Sequence, residues 1–180
     1  MSSIENFKTN LELFKVINYS RSEFLDTFFS FFYLLGKGQV VIPLILVILI
    51  LTKRRNSIHL FAIEMIVLGM IVLTIKKVYP VPRPAKTLAT AYQIIEYYKI
   101  GSFPSGDCAL SMASSLFLIN EFRSKFLLVI LTIYTLLIGY ERIYTGNHFP
   151  LDVIAGYIVG TISFLIARKI LVLWKKKRKC

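Results

Sequence analysis

From residue 38 onward the chain alternates long apolar blocks with short polar connections. Five blocks stand out: GQVVIPLILVILILT (38–52), SIHLFAIEMIVLGMIVLTI (57–75), SGDCALSMASSLFLIN (105–120), FLLVILTIYTLLIGY (126–140) and PLDVIAGYIVGTISFLIA (150–167), the last remaining apolar to Trp174. Apolar runs of this length in succession predict membrane-spanning helices. Several fall short of the ~20 residues a crossing uses, so neighbouring residues or a tilted, thin arrangement must complete them. The stretch FLDTFFSFFYLL (24–35) is too short to span alone. It predicts an interfacial or partly inserted helix, or else an extra crossing that moves the N-terminus to the other side. The first twenty residues lack a basic start followed by an apolar core, so they are not expected to act as a signal peptide. Leu11, Phe14 and Ile17, with Phe7 as a further candidate, share one face, while Glu5, Lys8 and Glu12 lie elsewhere. That pattern predicts an amphipathic helix on the membrane surface or on the bundle. The expected fold is one all-α domain over 1–180, a polytopic transmembrane helical bundle of five to six membrane helices. Interfacial amphipathic helices occupy 1–35 and a basic cytoplasmic tail occupies 175–180.

Composition agrees with this pattern. The 180 residues are 56% hydrophobic, with a mean hydropathy of +0.64, more apolar than soluble domains of this size. The net charge is +12, which by itself could indicate nucleic acid. The basic residues, however, sit at the ends of apolar runs, where topology signals belong, so no nucleic-acid partner is expected. Lys53, Arg54, Arg55, Arg123, Lys125, Arg168, Lys169 and the tail KKKRK fall on one side with a single acid, Glu121. The positive-inside rule makes that side cytoplasmic and turns the loops after the second and fourth blocks outward. The two cysteines, Cys108 and Cys180, fall toward opposite sides, so no disulfide framework is expected.

Three polar clusters collect on the outward side. In KKVYPVPRP (76–84), Lys76 is followed after six residues by Arg83, which Pro82 and Pro84 hold in a stiff, extended backbone. In FPSGD (103–107), a helix start offers free N–H groups and a positive dipole end to an anion. Ser105 can cap that helix or donate to a phosphate oxygen, and Gly106 permits close backbone approach. In ERIYTGNHFPLD (141–152), Arg142 precedes His148, and Asp152 lies four residues beyond His148, on the same face if the helix begins there. An Asp on one ring nitrogen orients a His and raises the basicity of the other. Each cluster alone has a bland alternative: a membrane-edge Lys pair, an ordinary capped helix, a structural His. Together they place three cations around one nucleophile, which suits a phosphoryl transition state. No metal-ligand cluster is visible.

The order and spacing of these clusters resemble the type 2 phosphatidic acid phosphatase superfamily. Its signature is Lys, six residues, Arg-Pro; then Pro-Ser-Gly-His; then Ser-Arg, five residues, His, three residues, Asp. The match is at Lys76, Arg83 and Pro84, at three of the four positions of PSGD, and at Arg142, His148 and Asp152. The resemblance implies a metal-independent, cofactor-free membrane lipid phosphatase. His148 would attack phosphorus to form a phosphohistidine, and Asp152 would hold His148. Lys76, Arg83, Ser105, the Gly106 backbone and Arg142 would bind phosphate oxygens. Two positions depart. Glu141 replaces a secondary Ser, which puts little in doubt. Asp107 replaces the His that protonates the leaving group. Three readings of Asp107 stay open: a carboxylic general acid in a dry pocket, a leaving group that needs little protonation, or an impaired site.

An outward site at the membrane rim suits a lipid phosphate in the inner (cytoplasmic) membrane. The resemblance leads to compact bacterial lipid phosphatases, with lipid A 1-phosphate or undecaprenyl diphosphate as the expected substrate. Phosphatidylglycerophosphate or phosphatidate is the alternative, as is a lipid-binding or transporting member without turnover. The segment 85–103, with Tyr92, Tyr97 and Tyr98, is expected at the interface as a rim or lid. Glu64, in the middle of the second block, marks either a transport path or a buried acid paired with a nearby span or with His59. Gly156 and Gly160 predict close helix packing.

Overall fold

The computed structural model describes residues 7–94 and 101–177. Tyr97, Tyr98, Glu5, Cys180 and the end of the basic tail lie outside the described residues. The chain is all-α. Helices α1 (Lys8–Tyr19) and α2 (Glu23–Phe32) come first, and a 3-10 turn at Tyr33–Gly36 leads into α3 (Gly38–Leu51). Then follow α4 (Ile58–Val78), the single turn α5 (Pro84–Thr87), α6 (Gly106–Phe122), α7 (Lys125–Tyr144) and α8 (Pro150–Lys177). The five apolar blocks are thus the five long helices, with ends within a few residues of the blocks except in α7, which runs on to Tyr144, and α8, which runs on to Lys177.

Helices α3, α4, α6, α7 and α8 run alternately up and down. Ion pairs Lys37–Asp107 and Asp107–Arg142 tie the start of α3, the start of α6 and the end of α7 together at one end. Arg54–Glu121 ties the α3–α4 connection to the end of α6 at the other. Among the described residues, three helices have the length and hydropathy to cross a membrane: Arg55–Val78, Lys125–Tyr144 and Pro150–Trp174. A fourth is added if Glu23–Gly36 and Gly38–Leu51, bent by 58°, form one span. Three or four pass on length and composition alone, fewer than the five to six expected. The shortfall comes from α3, with 14 residues, and α6, with 17. At 1.5 Å per residue the latter is about 26 Å long.

The core forms around α6. Val41, Ile45 and Leu49 of α3, Phe61 and Leu68 of α4, Ala109, Ala113 and Phe117 of α6, and Phe164 and Ala167 of α8 make one cluster. Ile66 and Leu73 of α4, Phe126, Ile133 and Leu136 of α7, and Ile154, Ile158 and Leu165 of α8 face outward, apolar and exposed. Such a surface is stable only against lipid or another protein. Gly156 and Gly160 bring α8 onto α6, as expected. A Cβ on Gly156 would fall 2.6 Å from the Ser105 carbonyl oxygen and 2.9 Å from Cys108 Cβ. A Cβ on Gly160 would meet the Ala109 carbonyl and lie 3.0 Å from Met112 Cβ. Gly160→Ala is therefore expected to lower the melting temperature in detergent, at a cost of about 1–3 kcal/mol. An unchanged melt would show that the two helices can separate freely.

Helix α1 buries Asn10, Phe14 and Asn18, with Leu11 and Ile17 half-buried, and it leaves Phe7 60% exposed. The apolar stripe was predicted, but the two asparagines beside it were not. They are buried because they satisfy backbone: Asn10 Oδ1 accepts from Leu151 N–H, and Asn18 Nδ2 donates to the Tyr92 and Tyr144 carbonyls. Asn18 Oδ1 also accepts from Tyr92 N–H, so the described part of the expected rim is strapped to α1. Glu64 is fully buried in α4. Among the described residues its carboxyl oxygens have no hydrogen-bond partner. His59, the partner considered for it, lies instead against Trp174.

Candidate active site

The site occupies the bundle end where α4, α6, α7 and α8 begin or finish. Helix α8 starts at Pro150, whose missing N–H costs nothing in a first turn. Asp152 Oδ2 reaches back to accept from Phe149 N–H at 2.9 Å, an acid in the first turn serving as a cap. The same oxygen lies 3.5 Å from His148 Nδ1, too long for a formed hydrogen bond but in the correct direction. On the other ring nitrogen, Nε2 lies 3.2 Å from Arg83 NH1. A guanidinium only donates, so Nε2 is the acceptor and the ring proton belongs on Nδ1, facing Asp152. Arg83 NH1 also donates to the Asn147 carbonyl at 3.0 Å.

His148 is 3% exposed. Burial, followed by the positive charges of Arg83, Lys76, Arg142 and Lys37, pushes its pKa well below the ordinary histidine value. At neutral pH the imidazole is uncharged and Nε2 keeps its lone pair. The same four cations form a positive field around that lone pair.

Lys76 Nζ donates to the carbonyls of Gly101 and Ser102. Ser105 is the N-cap of α6: its Oγ accepts from Cys108 N–H at 3.4 Å, and its own N–H donates to the Asp152 carbonyl at 2.9 Å. The starts of α6 and α8 are thereby joined. Gly106 is the first residue of α6. A Cβ there would meet only Val72, at 3.7 Å, so protein packing does not require the glycine. Cys108 is buried and free.

Asp107 is placed differently from a side chain waiting to donate a proton. Its Oδ2 accepts from Lys37 Nζ at 2.9 Å and from Arg142 NH1. The remaining edge of Arg142 is closed by Glu141: Nε donates to Oε2, and NH2 to Oε1 at 2.8 Å. Thr145 Oγ1 adds a bond to Glu141 Oε1 at 3.2 Å. Arg142 therefore lies between two carboxylates, 2% exposed, with a fully buried Glu141. Sequence reasoning missed Lys37 altogether and treated Glu141 as incidental. Among the described residues no group of three or more His, Cys, Asp or Glu converges as metal ligands would.

An apolar-walled helical bundle with a neutral buried imidazole among cations at one end is the arrangement that the resemblance to a membrane lipid phosphatase implies. The family model of the PAP2 superfamily matches residues 58–176, and the chain belongs to that superfamily. The chain is 31% identical over 163 residues to an undecaprenyl-diphosphatase of Sulfolobus acidocaldarius, covering 89% of this chain and 78% of that protein. The crystal structure of LpxE from Aquifex aeolicus superposes with a TM-score of 0.85 at 38% identity, covering 93% of this chain and 99% of that one. A Bacillus subtilis PAP2-type phosphatidylglycerolphosphate phosphatase shares the fold, with a TM-score of 0.71 at 19% identity.

Proposed function

We propose that this chain hydrolyses a lipid phosphate on the outer face of the cytoplasmic membrane through a phosphohistidine on His148. The observation that carries the reading is the His148 ring itself: Nε2 beside Arg83, Nδ1 toward Asp152, and burial among cations that keeps it neutral. Nε2 attacks phosphorus, and Asp152 holds the ring and stabilises the charge it gains. Lys76, Arg83 and the N-terminus of α6 at Ser105 and Gly106 receive the phosphate oxygens. Arg142 joins them where a phosphate displaces Asp107. In this reading α3, α4, α6, α7 and α8 are five crossings. Their basic ends, with Arg54, Arg123 and Arg168, lie in the cytoplasm, and the site faces outward. Helices α1 and α2 rest on the outer interface.

Asp107 supports the alternative in which the leaving group needs little protonation. Its Oδ2 is already engaged as an acceptor by Lys37 and Arg142 and is not turned toward a leaving group. Lipid A 1-phosphate and undecaprenyl diphosphate, whose leaving groups need little protonation, are therefore the favoured substrates, ahead of phosphatidylglycerophosphate and phosphatidate. The closure of Arg142 by Glu141 and Asp107 also favours a second reading, a lipid-binding member without turnover. Phosphate release from these four lipids by the purified protein in detergent tests both. Release supports the phosphatase, and none from any of them supports the binding protein.

The pH profile is a further expectation. Turnover needs unprotonated His148. Because its pKa is depressed, kcat/KM should hold as pH falls to 6.5 and decline only below. A midpoint at or above 6.5 would show an ordinary, solvated imidazole. Stability carries the same sign: the unfolded chain takes up this proton near pH 6.5 and the folded chain does not. The His148 contribution therefore weakens the fold progressively as pH drops from 6.5 toward the folded pKa.

A further inference from the structure

The bend between α2 and α3 carries Lys37, a cation that no sequence cluster includes. Two unlike surroundings meet there. Toward the site, its ammonium donates to the Asp107 oxygen that Arg142 also engages. The chain is pressed onto α6 at this point, since a Cβ on Gly36 would lie 3.5 Å from Asp107 Cβ. On the other side, residues just before and after Lys37 line an apolar groove of about 610 Å3, walled by Phe28, Phe31, Phe32, Leu34, Leu35 and Val40. The Lys37 side chain is 20% exposed, against 2% for Arg142.

The cations consequently divide. Arg83 and Lys76 stand with His148 and suit the phosphate under attack. Arg142 is engaged by two acids. Lys37 is more open: its ammonium reaches Asp107, while Leu35 and Val40 on either side of it in sequence line the groove. A lipid with one phosphate has nothing further to offer it. A lipid diphosphate brings a second anionic group directly beside the first, with the apolar chain following. Charge-assisted bonds of ammonium to phosphate are strong and short.

We propose that Lys37 is a specificity-determining residue that selects lipid diphosphates, holding the leaving phosphate while the lipid chain lies in the groove between α2 and α3. This rests on the phosphatase reading and sharpens its substrate class. In the step, His148 Nε2 bonds to the terminal phosphorus and the bridging P–O bond breaks. The electron pair stays on the departing lipid monophosphate, where Lys37 offsets the charge and no proton is needed from Asp107. Water then takes the phosphoryl group from His148, releasing inorganic phosphate with the water's proton and restoring the imidazole.

Farnesyl diphosphate and farnesyl monophosphate, which differ by one phosphate, are suitable probes. In a His148→Asn background, which stops turnover, equilibrium binding in detergent should favour the diphosphate. Adding Lys37→Met should cut that preference about 30-fold, the scale of one charge-assisted hydrogen bond. In protein retaining His148, the kcat/KM ratio should fall likewise, with Lys37→Arg restoring part of it. Misfolding would weaken both ligands together and leave the ratio unchanged, so the ratio isolates Lys37. Dimethylallyl diphosphate, too short to fill the groove, should bind more weakly than farnesyl diphosphate. No initial preference, a ratio unmoved by Lys37→Met, or equal binding of short and long chains overturns the proposal. A Lys37-dependent preference without any phosphate release overturns the phosphatase reading and leaves the role of Lys37 in place.

Discussion

His148→Ala is expected to reduce phosphate release by about 10⁴-fold or more, the scale on which loss of a covalent nucleophile acts. The argument runs from burial to chemistry. Arg83 on Nε2 fixes the tautomer, and the surrounding cations keep the ring neutral, so its lone pair is available without a separate base. Asp152→Asn separates two duties of one side chain. An Asn oxygen can still accept from Phe149 N–H and keep the start of α8, but it cannot stabilise the imidazolium-like charge. A loss of about 10²–10⁴-fold with an unchanged melting temperature is therefore expected. Labelled substrate quenched in base should leave an acid-labile phosphate on the native chain and on Asp152→Asn, and none on His148→Ala. Release that persists in His148→Ala would remove the covalent mechanism.

Much of this site can be read from the chain because its chemistry is local. Asp152 follows His148 by four residues, so one helical start brings them together. The prolines around Arg83 fix an extended backbone. Apolar blocks become helices because nothing in them competes. Lys37 was not legible for the opposite reason. It meets Asp107 across seventy positions of sequence, through a bend set by how α2 and α3 pack, and no periodicity encodes that. Asn10 and Asn18 broke the apolar stripe of α1 because backbone groups elsewhere in the fold needed partners. Helices α3 and α6, at 14 and 17 residues, were already short as apolar blocks, so their crossing depends on tilt or on flanking residues that the apolar pattern does not encode.

Glu141 is the departure with the larger structural consequence, and it was concealed by a sound rule. Neighbours i and i+1 on a helix do not face each other, so an adjacent Glu-Arg pair gives no sign of pairing. Here the Arg142 guanidinium turns back onto it, and both are buried. Removing one partner of a buried pair costs about 3–5 kcal/mol, because the other stays desolvated and unpaired. Glu141→Ala is thus expected to lower the melting temperature in detergent substantially, and Glu141→Gln, which retains an acceptor and the shape, by less. The pairing also restrains function. With Glu141 and Asp107 on either side, Arg142 has most of its donors engaged and offers few to a substrate phosphate. Glu141→Ser frees two donors of Arg142, and the expected result is a less stable protein with a lower KM for phosphate-bearing lipids. Equal melting temperatures for Glu141→Ala and the native chain would show that Arg142 is held by other contacts. A KM that rises in Glu141→Ser would show that Glu141 positions Arg142 for phosphate instead of withholding it.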